Sequence, residues 1–493
     1  MRNVILPALV EALGEDDADI VDSATLAIGR AVGGADLDLA YRAIMTQLAS
    51  AHESVREAAA LSLGLLGDDR AAATLGDLVR DTPRARTVLN LANGTPTKVR
   101  AFAAIALGLI GANEAMPTLK WAIEKEPGTQ RDLKTCAIIA LGLLANRDEA
   151  LVSYLMRLID DRDLDRTVRA HVPTVIARCA SAATAAVPAL YAMLERDSTD
   201  RDMLRSVVLA LGKLATMDQP VVVDALRRTA LEDPDPGARN FAWIALAEIG
   251  ARDHEPGGHA DLHRTLAQLL MEGAQHPEVA TAQPWASLAL ALYARAHPEA
   301  SAAAVQCLRA AYPRVENPST RAALAVSLGL LDAAECAPML MKEMLELGAP
   351  ELRGYVALSL GLMRQTAAAP LLRKQIQDPG IDWRFRMNLA RGLGLMADVQ
   401  AVPALIGALG AARGLADAAS LAQALGLIGD ESAIEPLKTI LKDGKRIGMQ
   451  RGFAAVALGL LGEKTELPWH ARISIGLNYR ARTPALEELL DIL

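Results

Sequence analysis

The sequence predicts an all-α solenoid of about thirteen helical-hairpin repeats, on three observations. One phrase returns along the chain, as LSLGLLGD around Gly64, IALGLIGA around Gly108, IALGLLAN around Gly142, LALGKLAT around Gly212, VSLGLLDA around Gly329 and VALGLLGE around Gly459. Hydrophobic residues make up 52 % of the chain but aromatics only 3 %, so the core must be built from Ala, Leu, Val and Ile. Ala and Leu favour helix, and the β-branched and aromatic residues that favour strands never form alternating runs. Finally, 493 residues exceed what one ordinary globular core fills. A repeat array escapes that limit, because each unit buries its apolar face only against its neighbours.

The central residue of the phrase serves as an anchor. Anchors fall at 29, 64, 108, 142, 177, 212, 247, 291, 329, 361, 394, 426 and 459, with alanine replacing glycine at Ala177, Ala247 and Ala291. Steps in the low-to-middle thirties fit a two-helix unit, and two steps of 44 mark insertions. Each unit reads as helix A, a turn, and helix B carrying the anchor. Helix A often opens with a proline, as at Pro117, Pro188, Pro338, Pro370, Pro403, Pro436 and Pro468, where the missing N–H costs nothing. A second glycine (Gly67, Gly111, Gly429, Gly462) sits where a left-handed cap would end helix B. Eight residues before the anchor stands a base: Arg56, Arg100, Lys134, Arg169, Arg239, Arg321, Arg353, Arg386 or Arg451.

A V-R-x-x-A-A-x-A-L-G run of this kind, with proline opening helix A, resembles the HEAT repeat family, in the short bacterial style also found in phycobilisome-lyase-like proteins. The resemblance runs from about residue 3 to 468. It implies a right-handed α-α superhelix, and it is nearly silent on function because such arrays serve many roles. The expected organisation is a solenoid over 1–468, with insertions near 81–97 and 251–285, followed by a capping tail over 469–493. In that tail, Ile473 to Tyr479 reads as an extended piece and Ala485 to Leu493 as a helix. The first insertion, with Pro83, Asn93, Gly94 and Pro96, reads as a loop on one edge. The first helix (Val4, Ile5, Leu6, Leu9, Val10, Leu13) has no polar capping repeat before it, as solenoids normally need. Either the natural chain extends upstream or this end docks on something, self-association included.

A helical wheel of helix B places positions −7, −3, anchor and +1 on one side, which in HEAT proteins faces the concave surface. That face is apolar here. Position −3 holds Leu26, Leu61, Ile105, Ile139, Leu209, Ile244, Leu288, Val326, Leu358 and Val456, interrupted only by Thr174, Arg391 and Gln423, and position +1 holds Leu65, Leu109, Leu143, Leu292, Leu330, Leu362, Leu395, Leu427 and Leu460, with Arg30, Arg178, Lys213 and Glu248 as exceptions. Two readings follow. Successive B helices bury this face against each other, which the mid-helix glycines support by inviting close approach. Alternatively the face is an apolar groove for a partner helix or peptide, with Leu65, Leu109, Leu143, Leu330, Leu362, Leu395, Leu427 and Leu460 as its contact residues. Position −6, holding Phe102, Phe241 and Phe453, faces helix A and reads as core. The bases at −8 read as structural, paired with an acid in the turn of their own or a neighbouring repeat.

Composition narrows the function classes. A net charge of −8 argues against a dedicated nucleic-acid binder. Cys136, Cys179, Cys307 and Cys336 lie far apart without a CxxC, which fits buried thiols in a reducing, cytoplasmic compartment. No apolar run is long enough to span a bilayer, and Met1 to Gly14 does not read as a signal peptide. Chemistry concentrates in the second insertion. His259 and His263, four apart, would share one helix face as a zinc pair, with His254 nearby, yet HADLH is not the HExxH motif. The di-iron hydroxylases of this architecture use several His-Glu pairs. Here only His52-Glu53 and His254-Glu255 occur, and they do not stack. HEAT-like DNA glycosylases would need a basic concave face, and nothing singles out a bilin pocket. The expected function is therefore a non-catalytic protein-interaction scaffold that needs no cofactor and binds a protein or peptide through its concave face and insertions. The alternatives are a metal-binding or lyase-like enzyme using the histidine-rich insertion, and an interaction fragment of a larger protein.

Overall fold

The computed structural model describes residues 2–31, 36–144, 149–196, 200–253, 260–275, 282–346, 349–378, 380–463 and 474–492. Among them the regular structure is helical and no strand occurs. The chain divides into two compact units. The first comprises Met1–Cys179, Val399–Ile475 and Tyr479–Leu493, the second Ala180–Asp398 and Gly476–Asn478.

The helices up to the first boundary are α1 (Arg2–Ala12), α2 (Ala18–Ala31), α3 (Leu37–Gln47), α4 (Glu53–Leu66), α5 (Ala71–Arg80), α6 (Pro83–Leu89), α7 (Thr97–Ile110), α8 (Met116–Lys125), α9 (Arg131–Leu143), α10 (Glu149–Asp160), α11 (Arg166–Arg169) and α12 (Val172–Arg178). The second unit holds α13 (Val187–Leu194), α14 (Arg201–Leu214), α15 (Pro220–Glu232), α16 (Pro236–Arg252), α17 (Ala260–Gln275), α18 (Gln283–Ala296), α19 (Pro298–Ala311), α20 (Pro318–Leu330), α21 (Ala337–Glu346), α22 (Pro350–Leu362), α23 (Ala369–Ile376) and α24 (Trp383–Leu395). The first unit resumes with α25 (Val402–Ala411), α26 (Leu415–Ile428), α27 (Ile434–Lys442), α28 (Gly448–Leu461) and α29 (Pro484–Ile492).

Every anchor falls on a B helix, namely α2, α4, α7, α9, α12, α14, α16, α18, α20, α22, α24, α26 and α28. Within each unit, consecutive B helices pack directly on one another, as α2 on α4, α4 on α7 and α7 on α9, or α14 on α16 and α20 on α22. The anchor glycines make this possible. A Cβ on Gly64 would lie 2.5 Å from the Ala106 Cα, and one on Gly212 would lie 2.7 Å from the Ala245 Cα. In each case the anchor meets the residue two places before the next repeat's anchor. Glycine in mid-helix costs about 1 kcal/mol against alanine, and close backbone approach offsets that cost.

The same register recurs where sequence gives no hint of it. In the first unit α28 packs on α2, and a Cβ on Gly459 would lie 2.7 Å from the Ala27 Cα. Ala27 stands two places before the first anchor, so the last repeat packs on the first as any repeat packs on its successor. Lys442–Glu11 and Arg451–Glu15 ion pairs, both at 2.6 Å, bind the same seam, and α1 touches α27 and α28. The N-terminal hairpin, read as an end that either continues upstream or docks on something, thus packs on the α27–α28 hairpin of the same unit. Gly462 is corrected by the same packing. Its backbone is right-handed (φ −83°), unlike the left-handed Gly67, Gly111 and Gly429, and it is small because a Cβ there would meet Ala31.

The bases at −8 act mainly inside their own hairpin. Lys134 Nζ donates to the Ile123 carbonyl at 2.6 Å, Arg353 Nε to Met344 O at 2.9 Å and Arg451 Nε to Leu441 O at 2.7 Å. Each acceptor lies in the last turn of the repeat's helix A, where carbonyls lack helical partners and the dipole favours a cation. The expected acid partners join in at Arg100–Glu126 (2.5 Å) and Arg321–Glu343 (2.6 Å). The first insertion is not a bare loop: Thr82 caps α6 by accepting from the Ala85 N–H, with Pro83 opening the helix. In the fifth repeat helix B breaks into α11 and α12, because Pro173 cannot donate to the preceding turn. Residues 254–259, 276–281 and 464–473, which contain His254, His259 and Pro468, lie outside the described residues.

The core of the second unit includes Trp243, Tyr312 and Phe385, each fully buried. Residues 476–478 belong to it: Asn478 Nδ2 donates to Asp202 O at 2.8 Å and to Ser206 Oγ at 2.9 Å.

Candidate functional site

The inner stripe of the B helices, positions −10, −7, −6, −3 and +1, is not uniform. At −3, Leu61, Ile105 and Ile139 are fully buried, whereas Leu26, Leu209, Ile244, Leu288, Val326, Leu358 and Val456 are half-buried. Two features of the first unit lie on this stripe: a helix laid on α7 and α9, which carry Ile105 and Ile139, and a cavity lined by Leu26 and Val456.

The helix is α29, which rests on α7 and α9. Ala485, Leu486 and Leu489 are buried, and burying the two leucines stabilises the contact by roughly 3–6 kcal/mol. Asp132 Oδ1 accepts from the Ala485 N–H at 3.0 Å, satisfying a donor that the helix start leaves open. Lys98 Nζ pairs with Glu488 at 2.5 Å. Earlier in the segment, Arg178 Nη2 donates to Ile475 O at 2.7 Å. His171 is fully buried, and burial pushes its imidazole down to about 4, with the nearby Ala481 backbone opposing the shift. Of the tail over 469–493, the helix α29 therefore lies on the B helices α7 and α9.

The cavity has a volume of about 460 Å³ and is walled by α2, α4, α7, α26, α28 and α29. Its apolar side includes Leu26, Met449, Phe453 and Val456, and its polar side Asp19, Asp22, Glu57, Gln423 and Glu488. Burial pushes the Asp22 carboxyl up to about 7, with Asp19 adding to the rise. Burial likewise pushes Glu57 up to about 7, where Lys98 opposes the rise while Glu488 and Glu53 add to it. The Lys98 ammonium stands 4.0 Å from Glu57 but only 2.5 Å from Glu488, so one cation serves two carboxylates. Arg30, also in the wall, is lowered by burial and supported by Glu463. A concave, mostly apolar site with a few convergent polar groups and perturbed carboxyls is what a binding pocket requires.

The residues expected to contact a partner are placed variously. Leu460 lines the cavity and is buried, and its Cβ would lie 2.5 Å from one built on Gly426. Leu143 is buried against Gly108 in the same way. Leu65, Leu109, Leu330, Leu362, Leu395 and Leu427 are half-buried along the stripe. Phe102 and Phe453, expected as core against helix A, both line the cavity, Phe453 half-buried. The acids Asp22 and Glu57 were missed. Both occupy position −7, where other repeats carry small residues such as Ala101, Ala170, Gly354 and Gly452, and that departure was a usable signal.

Of the metal candidates, His263 is described. Its Nε2 lies 3.3 Å from Asp253 and its Nδ1 3.1 Å from the Tyr293 hydroxyl. His297 stacks beside it but directs Nε2 to the Gly250 carbonyl at 2.8 Å. Among the described residues no group of three or more metal-ligating side chains assembles. Burial pushes the Cys136, Cys307 and Cys336 thiols up, away from reactivity. No described helix is long and apolar enough to cross a membrane.

Comparison with known proteins gives matches to HEAT repeats over residues 337–419 and to the PBS lyase HEAT-like repeat over 55–81 and 417–443. No curated protein matches the chain. Among solved structures, importin beta crystallised in an ammonium sulfate condition is similar at 14 % identity and a TM-score of 0.41, over 93 % of this chain and 62 % of that one. The karyopherin Kap121p bound to the SUMO protease Ulp1p gives 15 % identity and a TM-score of 0.43, over 93 % and 57 %. Human deoxyhypusine hydroxylase in complex with glycerol gives 20 % identity and a TM-score of 0.25, over 57 % and 96 %. The chain thus spans less than two thirds of the importin beta and karyopherin Kap121p chains.

Proposed function

We propose, for a chain that belongs to the HEAT-repeat family, that it is a non-catalytic scaffold whose inner face binds a protein or peptide partner. The observation that carries this reading is the way the face is used in the first unit. It takes up a helix, α29, on its apolar stripe, and beside that helix it leaves a cavity of about 460 Å³ lined by half-buried apolar residues and carboxyls. Apolar anchors set in a groove with a polar rim are the elements of helix-in-groove recognition. The acids Asp19, Asp22, Glu57 and Glu488 make that rim complementary to a basic segment.

The test is affinity capture from the native host, using the chain and a variant with Leu26→Asp and Val456→Asp. Both residues line the cavity and neither is fully buried, so circular dichroism of the variant should match the parent. A partner held by the parent and lost by the folded variant supports the reading. A partner held equally by both moves binding away from the inner face, and a chain that captures nothing counts against a scaffold.

A further inference from the structure

Alone, α29 has no reason to be helical: it spans nine residues, below the length at which isolated helices hold together in water. It is ordered by what it sits on. Its contacts in α7 and α9 lie more than 340 residues away in sequence, through Asp132–Ala485 and Lys98–Glu488. Its buried positions, Ala485, Leu486 and Leu489, follow the i, i+1, i+4 spacing with which a partner helix fills a groove. The segment is therefore bound as a ligand would be.

It fits the groove with one fault. Glu488 brings a carboxylate to Glu57, a side chain only 5 % exposed, and both depend on the one ammonium of Lys98. Asp19 and Asp22 stand in the same cavity wall. Like charges brought together at low solvent exposure oppose binding. A cation in the place of Glu488 would give up the 2.5 Å pair with Lys98, but it would remove one of the four carboxylates gathered at the cavity and stand beside Glu57, where the acids outnumber the bases Lys98 and Arg30.

We propose that residues 479–492 are a resident, displaceable ligand of the inner face. The partner that evicts them is an amphipathic helix with the apolar spacing of α29 and a Lys or Arg in the position of Glu488. The proposal rests on the scaffold reading and deepens it, by naming the subsite, the chemistry of the partner and the segment that masks the face.

The test uses the full chain and two fluorescein-labelled peptides, one with the sequence of residues 482–493 and one identical except for Glu488→Lys. Binding is read by fluorescence anisotropy, and the state of α29 by hydrogen exchange of the amides of 485–492. The Glu488→Lys peptide is expected to bind at least ten-fold tighter than the native sequence and to speed exchange across 485–492 as it displaces the helix. In the full chain, Leu489→Asp loosens α29 without touching the groove and should tighten binding of both peptides at least ten-fold. Glu488→Lys placed in the chain itself should do the opposite, slowing exchange and weakening peptide binding by a similar factor. Equal affinity of the two peptides, no binding to the Leu489→Asp chain, or binding that leaves exchange unchanged would each overturn the proposal. A chain that ignores both peptides yet still captures a host partner through the cavity loses the eviction device and keeps the scaffold role. Loss of the scaffold role itself is read separately, in the capture experiment.

Discussion

Gly459→Ala adds one methyl at the seam where the last repeat meets the first. In an ordinary exposed helix this change stabilises by about 1 kcal/mol, through helix propensity and a less flexible unfolded chain. At Gly459 the new Cβ would stand 2.7 Å from the Ala27 Cα, 2.8 Å from its Cβ and 3.2 Å from its carbonyl oxygen. All three atoms belong to a packed helix, with no flexible side-chain end to yield, so α28 and α2 must separate. Overpacking of this kind costs roughly 1–3 kcal/mol, at the upper end where backbone must move. Subtracting the propensity gain leaves a net destabilisation of about 1–2 kcal/mol. Gly407, in the middle of α25, is the internal control: a Cβ there meets nothing within 4 Å, so Gly407→Ala keeps the gain and should stabilise by about 1 kcal/mol. Urea unfolding followed by circular dichroism reads both. The midpoint should fall for Gly459→Ala and rise for Gly407→Ala. If Gly459→Ala is neutral or stabilising, the last and first repeats do not pack in this register, and the account of the anchor glycines fails with it.

The carboxyls of the cavity set a pH dependence. Glu57 and Asp22 rise from 4.5 and 3.8 to about 7 in the folded chain, so folding favours their protonated forms. Stability from these groups is greatest below about pH 4, falls as pH climbs towards 7 and is flat above; each contributes up to roughly 3–4 kcal/mol to the fall, and Glu57→Gln should flatten it in urea midpoints measured from pH 4 to 8. His171 works in the other direction. Its folded value is lowered from 6.5 to about 4, so its contribution is complete above pH 6.5 and lost as pH falls towards 4, and His171→Leu should keep its midpoint over that window. Arg100→Met removes donors to Val79 O at 2.8 and 3.0 Å and the partner of Glu126; losing one side of a buried ion pair costs roughly 3–5 kcal/mol, and a drop under 1 kcal/mol would show that the base is not bracing helix A.

The sequence shows each repeat well because each carries the whole hairpin signal: an opening proline, a base, an anchor and a turn. Period and anchor alone place every B helix. What they cannot show is which repeat touches which beyond the chain order. Gly459 and Ala27 pack together, yet their surroundings, VALGLLG and TLAIGRA, carry the same anchor signature as the other repeats. The misreading of Gly462 has the same root: a glycine after a helix signals a left-handed cap, and only the packing of Ala31 shows that size, not φ, decides there. In the first insertion Thr82-Pro83 was a legible helix start, outweighed by Asn93, Gly94 and Pro96 further on. The cavity was half legible. Position −7 belongs to the inner face on the helical wheel, but attention to the leucines at −3 and +1 passed over the two acids there.

The seam and α29 are connected by one argument. Terminal repeats of a solenoid usually need a polar cap because their outer faces lack a neighbour. Here α28 and α2 supply that neighbour to each other. α29 cannot remain a bare apolar helix, since Leu486 and Leu489 would stand in water. The inner stripe offers the complementary surface, and at Ala101 and Thr135 position −7 is small enough for a helix to approach α7 and α9.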